Sequence, residues 1–230
     1  MNIVKEYHKE LLKFKNLHLG ETCYIFGSGT TIQQFKIQEE GTFIGCNHII
    51  KNTDIKEKLK YYFFGHGYIE HTNDSTPIYG NHKKEVDLLG NNIQKFAMVS
   101  RDNDISVHLF THKEIKDLIN INAIPCDINL HYIYKDLENN PFLNHSIVFP
   151  AVQFAMYAGF KKIYLVGCDC NGYFHSNNFI NGNKYKCIDN DLVDNWKKIL
   201  EFKNLNYSDC SIININPIGL KGLMDVDLFL

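Results

Sequence analysis

Ile3, Val4, Tyr7, Leu11, Leu12 and Phe14 recur at helical spacing with Lys and Glu between them, which predicts an amphipathic helix at the start of the chain. The period then changes. Thr22-Cys23-Tyr24-Ile25-Phe26 is a short, largely apolar run halted by Gly27-Ser28-Gly29-Thr30-Thr31, and it reads as a buried strand. Thr42-Phe43-Ile44-Gly45-Cys46 stops at Asn47, and Tyr61-Tyr62-Phe63-Phe64 stops at Gly65-His66-Gly67. Apolar runs that end in small or polar residues are the pattern of parallel strands that deliver ligand-binding loops at their carboxyl ends.

From about Ile69 to Asn144 the pattern is less regular, with short apolar runs at Phe96–Val99 and Val107–Phe110 and turn pairs such as Gly90-Asn91. This middle reads as further α/β elements plus a mobile insertion. The signal then sharpens. Ser146 to Gly159 predicts a buried helix with Gly159 as its C-terminal cap, and Lys161 to Gly167 a core strand that ends at Cys168-Asp169-Cys170. Leu192, Val193, Trp196, Ile199 and Leu200 mark an amphipathic helix, and Ser211 to Ile215 a last strand. No repeat or linker divides the chain. The expectation is one α/β domain over 1–230, a Rossmann-like, mostly parallel sheet flanked by helices, with a mobile lid near 171–191.

Composition narrows the function classes. With 44% hydrophobic and 22% charged residues the 230-residue chain can bury a sizeable core. A net charge of −2 gives no strongly basic field for nucleic acid. The seven cysteines form no repeating pair pattern, and Asn2, Lys5 and Glu6 are unlike an apolar leader. Both features predict free thiols in a reducing cytoplasm. The most apolar stretch, Ile147 to Gly167, is divided by Gln153 and Lys161-Lys162, so the expected protein is soluble, with at most a peripheral, transient contact to a membrane-linked acceptor.

Candidate chemistry sits at the strand ends. Gly27, Ser28, Gly29 and Thr30 form a loop through which backbone N–H groups can approach a phosphate, or a plain tight turn; it lacks the third glycine of the dinucleotide fingerprint and the ending of a Walker loop. Asn47 offers donor and acceptor to a base edge or ribose, or caps the next turn. His66 can contact a ligand or a phosphate, and Asp169, which ends the strongest core strand, is with His175 a candidate catalytic residue, expected to position the donor together with Asn47. Cys168 and Cys170 read as buried structural thiols, because a C-x-C pair needs two more metal ligands and none stands out. The stretch Asn171 to Asp191 is too polar for core and too long for a turn. Within it, His175 is a candidate general base or a solvated histidine, with Tyr173 and Tyr185 nearby in sequence.

The combination of Tyr24-Ile25-Phe26-Gly27-Ser28-Gly29, Gly45-Cys46-Asn47 and the apolar helix running into Lys161-Lys162-Ile163-Tyr164-Leu165-Val166-Gly167-Cys168-Asp169 resembles the bacterial sialyltransferase-like superfamily. That group includes lipooligosaccharide sialyltransferases, flagellin-glycosylation accessory proteins and archaeal hydroxymethylpterin pyrophosphokinase. The resemblance covers both ends of the chain and leaves Ile69 to Asn144 unmatched. It implies a nucleotide-sugar donor, a CMP-sugar, bound without a required metal and transferred to a glycan acceptor in cell-surface glycan synthesis. It also implies that Gly27 to Thr30, Asn47 and Ser146 lie against the donor. Donor-binding groups would project from the strand ending at Asp169, and lid tyrosines, here Tyr173 or Tyr185, would meet the leaving phosphate. The family's lid histidine has no counterpart after His175, where Tyr185, Asp189 and Asp191 stand instead, and Ser28 replaces an amide residue. These departures keep two alternatives open: a pyrophosphokinase-like phosphoryl transferase, which needs Mg²⁺ between carboxylates, and a non-catalytic nucleotide- or glycan-binding protein. A homo-oligomer is compatible with every reading.

Overall fold

Nine strands, each hydrogen-bonded in parallel to its neighbours, form one sheet in the order β6-β5-β4-β3-β2-β1-β7-β8-β9 among the described residues of the computed structural model. The described residues are 7–36, 40–65, 86, 89–100, 119–129, 131–143, 146–170, 190–215, 220, 222–223 and 225–227. The strands are β1 (Thr22–Phe26), β2 (Thr42–Cys46), β3 (Leu59–Gly65), β4 (Gln94–Ser100), β5 (Ala123–Asn129), β6 (Phe142–Leu143), β7 (Lys162–Val166), β8 (Ser211–Ile215) and β9 (Asp225–Asp227). Helices α1 (Thr53–Lys56), α2 (Val148–Tyr157) and α3 (Asn190–Asn206) accompany them, with 3-10 helices at Lys9–Phe14, Thr30–Gln34 and Asn47–Lys51. The expected α/β class with a parallel sheet is what the chain forms.

Side-chain alternation explains why the strands read as unbroken apolar runs: both faces are covered. Cys23 and Ile25 of β1 join Leu165, the residues of α2, and Trp196 and Ile199 of α3 in one layer. Tyr24 and Phe26 join Ile32, Phe43, Tyr62 and Val166 in the other. The aromatic load goes largely into these layers; Phe63 stacks on Phe96 at 4.5 Å, and Phe154 lies 4.8 Å from Phe96.

Strand order sets the place of the site. From β1 the sheet grows outward through β2 to β6, and the chain then returns to place β7 on the other edge of β1. The exit of β1 packs its Ile32 on one face, while α3, after β7, packs on the opposite face. Such a reversal opens a crevice at the carboxyl ends of the two strands.

Differences from the sequence-based expectation have local causes. The opening helix is α-helical at Tyr7 and His8 and tightens to a 3-10 helix at Lys9–Phe14, burying Leu11 and Phe14; residues 1–6 lie outside the described residues. The segment after it is pinned instead: Asn16, His18 and Gly20 donate backbone bonds to Tyr157, Ala158 and Gly159 at 3.1, 2.8 and 3.1 Å. His18 stacks on Phe160 at 4.3 Å and its ring nitrogens meet Glu21 and the Tyr61 hydroxyl at 2.8 and 2.7 Å. Burial, and then the Glu21 charge, pushes the Tyr61 hydroxyl up to about 12. Helix α2 ends as expected: Gly159 at φ +89°, with Phe160 N–H to Ala155 O and Gly159 N–H to Met156 O, both 3.1 Å. The strands β5, β6 and β9 escaped the sequence pattern, and Val107–Phe110 lies outside the described residues.

Candidate functional site

The loops after β1 and β7 are hydrogen-bonded to each other along their length. Gly27 N–H donates to Val166 O and Gly29 N–H to Gly167 O, each at 2.8 Å. Thr31 N–H then donates to one carboxylate oxygen of Asp169 at 2.9 Å, and the Thr31 hydroxyl donates to the other. Asp169 is only 3% exposed, so this is a buried carboxylate met by donors from the opposite loop. The glycines are what allow so close an approach. A Cβ on Gly27 would lie 2.5 Å from Gly167 O, and one on Gly29 would lie 2.5 Å from the Asp169 carboxylate. Gly167 itself sits at φ +67°, where a side chain is strained.

Two corrections follow for the Gly27–Thr31 loop. The helix it opens is a five-residue 3-10 turn, Thr30–Gln34, so no long helix dipole stands behind it. The N–H groups of Gly27, Gly29 and Thr31 are drawn into the seam with β7, while Ser28 and Thr30 contribute none to it. The Thr30 side chain is outside the described set.

Asn47 closes β2 beside this seam. Its φ of +45° is left-handed, a region that asparagine tolerates better than other residues with a side chain. The Tyr62 hydroxyl donates to its main-chain oxygen at 2.7 Å, and its side-chain oxygen accepts from Gly65 N–H at 3.2 Å. The start of α2 adjoins the same strand ends. The Cys46 thiol lies 3.8 Å from Ile147 O, and a Cβ on Gly65 would lie 3.7 Å from Ile147 Cδ1. Ser146, half-buried, accepts the Phe149 N–H at 2.9 Å, and Pro150 occupies the first turn, where a missing N–H costs nothing. The carboxyl ends of β1, β2, β3 and β7 therefore lie along one edge of the sheet, with the amino end of α2 beside β2 and β3; Gly27, Ser28, Gly29, Asn47 and Asp169 follow those strand ends, and Ser146 precedes α2.

Other predicted residues are not part of that picture. His66, Tyr173, His175, Tyr185 and Asp189 lie outside the described residues, as does the side chain of Asp191. Cys168 is buried and Cys170, at φ +49°, is half-buried. Burial, with Cys46 and Cys170 adding to it, pushes the Cys168 thiol well up. Among the described residues no group of three or more His, Cys, Asp or Glu is placed to hold a metal ion. Nor is any described helix long and apolar enough to cross a membrane.

Three contributors lacked a sequence signal. Thr31 looked like one more polar loop residue, and Tyr62 like one more core aromatic. Asn214 of β8 is fully buried, with its amide nitrogen 3.5 Å from Cys168 O and its side-chain oxygen without a hydrogen-bond partner among the described residues.

No family model and no curated protein matches the chain by sequence. Solved structures do match it. The sialyltransferase CST-II, in complex with a trisaccharide acceptor and CMP, superposes with a TM-score of 0.52 at 16% identity, over 91% of this chain and 89% of that one. CstII from Campylobacter jejuni, in complex with the substrate analogue CMP, superposes with a TM-score of 0.50 at 15% identity, over 85% and 80%. The likeness is one of architecture: the chain has the fold of these sialyltransferases.

Proposed function

We propose that the chain is a sialyltransferase-like glycosyltransferase that takes a sugar from a nucleotide-activated donor, a CMP-sugar, and passes it to a glycan acceptor in making cell-surface glycan. One observation carries this reading: the β1–β7 reversal has a rigid polar residue, Asn47, at its rim, in a fold shared with a sialyltransferase bound to CMP and a trisaccharide. Strand-end crevices of this topology are where nucleotides bind in open α/β sheets. Asn47, Ser28 and Ser146 are the proposed donor contacts. Asp169, whose two carboxylate oxygens both meet Thr31, acts in this reading by holding the Gly27–Thr31 loop in place. Transfer needs a base that takes the acceptor hydroxyl proton as the sugar–phosphate bond breaks. His175 is proposed for that proton, and Tyr173 or Tyr185 for the departing phosphate.

Thermal shift with cytidine, uridine, guanosine and adenosine monophosphates tests the donor site, since a ligand that binds only the native state raises Tm by mass action. CMP should stabilise most. An unchanged Tm with all four at saturating concentration removes the reading. Transfer that vanishes with a chelator and returns with Mg²⁺ would move it to phosphoryl transfer.

A further inference from the structure

Asn47 is held at both of its acceptor groups. A backbone N–H can only donate, so the side-chain atom 3.2 Å from Gly65 N is the amide oxygen, which fixes the orientation of the carboxamide. The main-chain oxygen is taken by the Tyr62 hydroxyl at 2.7 Å. That hydroxyl stands on a ring with no exposed surface, stacked on Phe64 at 5.7 Å, so it has little freedom to turn away. What remains of Asn47 is its amide nitrogen, which makes no hydrogen bond among the described residues, on a half-buried side chain at the strand-end crevice.

We infer that Tyr62 is a positioning residue: through the Asn47 carbonyl it holds Asn47 in its left-handed conformation, and so presents a donor-only position to the ligand. The ligand atom taken there is one that accepts a hydrogen bond. Without the Tyr62 bond, the left-handed peptide relaxes toward ordinary backbone geometry. The side-chain oxygen then leaves Gly65, and the carboxamide is free to present either end. The identity of the ligand as a nucleotide rests on the function proposed above; the lock on Asn47 does not.

The lock is read without ligand, from amide hydrogen exchange of the full chain by NMR. Tyr62→Phe keeps the buried ring and removes one hydroxyl. The Gly65 amide should exchange about tenfold faster in that variant while β1 amides such as Ile25 keep their protection, the loss expected for one released hydrogen bond. Unchanged Gly65 protection overturns the inference. The consequence for binding is read by calorimetry with CMP. Tyr62→Phe should weaken CMP about three- to tenfold when Asn47 is present and less than twofold in an Asn47→Ala background. Equal losses in both backgrounds would mean that Tyr62 acts on stability alone and would overturn it. Asn47→Asp, which exchanges the free donor for an acceptor, should bind CMP more weakly than Asn47→Ala; binding as tight as in the native protein refutes the donor-only polarity. If the native protein binds no CMP, the proposed function falls while Gly65 exchange still decides for or against Tyr62.

Discussion

Removing the contact between Asp169 and Thr31 should loosen the β1–β7 seam by an amount that can be worked from its bonds. Each hydrogen bond to a buried carboxylate contributes about 1.5–3 kcal/mol, and Thr31 makes two of them to a group only 3% exposed. Thr31→Val removes the hydroxyl and keeps the main-chain bond, so the expected loss is about 2 kcal/mol. Asp169→Asn keeps one acceptor for the Thr31 N–H and loses the charge, at about 1–2 kcal/mol. Asp169→Ala strands both Thr31 donors away from water, and the loss rises to about 3–5 kcal/mol. In the Thr31→Val/Asp169→Asn double variant the losses should fall short of their sum by about 1–2 kcal/mol, because the two changes remove the same bond. Urea unfolding of the four proteins, with Cm and m compared, measures the cycle. A coupling below about 0.5 kcal/mol would show that the pair does not act as a unit and would refute the seam as the support of the loop. Nucleotide binding should fall in parallel with that coupling.

Three further outcomes are expected. Gly27→Ala places a methyl group 2.5 Å from the Gly167 carbonyl, a backbone atom with nowhere to go, so the variant should lose at least about 2–3 kcal/mol in the same assay; a neutral effect would mean that the seam is loose. Burial pushes the Cys46 and Cys126 thiols well above their ordinary range and Cys210 up to about 11, so brief alkylation of the native protein at pH 8, read by peptide mapping, should spare these three and, among the described cysteines, label half-buried Cys170 first. At Glu138, burial pushes the carboxyl up, but the Lys15 ammonium at 2.8 Å overrides it and holds the group below its ordinary value. A depressed folded-state value gives stability that is present above the unfolded-state value of about 4.3 and is lost as pH falls through the folded one; Glu138→Gln should therefore flatten the acid limb of a Tm-against-pH curve, and an unaltered limb would exclude the pair.

What could be read from sequence followed from how local its cause was. β1 and β2 were visible to the residue because both of their faces are buried, which makes the run itself apolar. β5 was not, because Pro125 gives up a ladder N–H in a strand paired on both sides and Asp127 interrupts the apolar run, two features that argue against a central strand. β6 has two residues and β9 reads Asp-Val-Asp, both too short or too polar to show a period. The polar groups at the strand ends were visible in the sequence. Their partnerships were hidden: Thr31 and Asp169 stand 138 residues apart, and nothing near Tyr62 marks its hydroxyl as the group that grips Asn47.

The placement of β1 between β2 and β7 also governs how the protein is made. During synthesis β1 finds β2 within about 20 residues, but its other edge stays open until β7 has left the ribosome. At ~5–20 residues per second the 138 residues from Thr31 to Asp169 take roughly 7–28 s. Throughout that interval the edge of Thr22–Phe26 that will pair with β7 offers unpaired N–H and C=O groups on an apolar strand, the template that foreign strands join. Loop closure over such a span is slow, and the crevice is among the last features to form. A chain truncated before Lys162 would thus be not a weakened form of the protein but a half-sheet with an open apolar edge and no crevice, a target for chaperones.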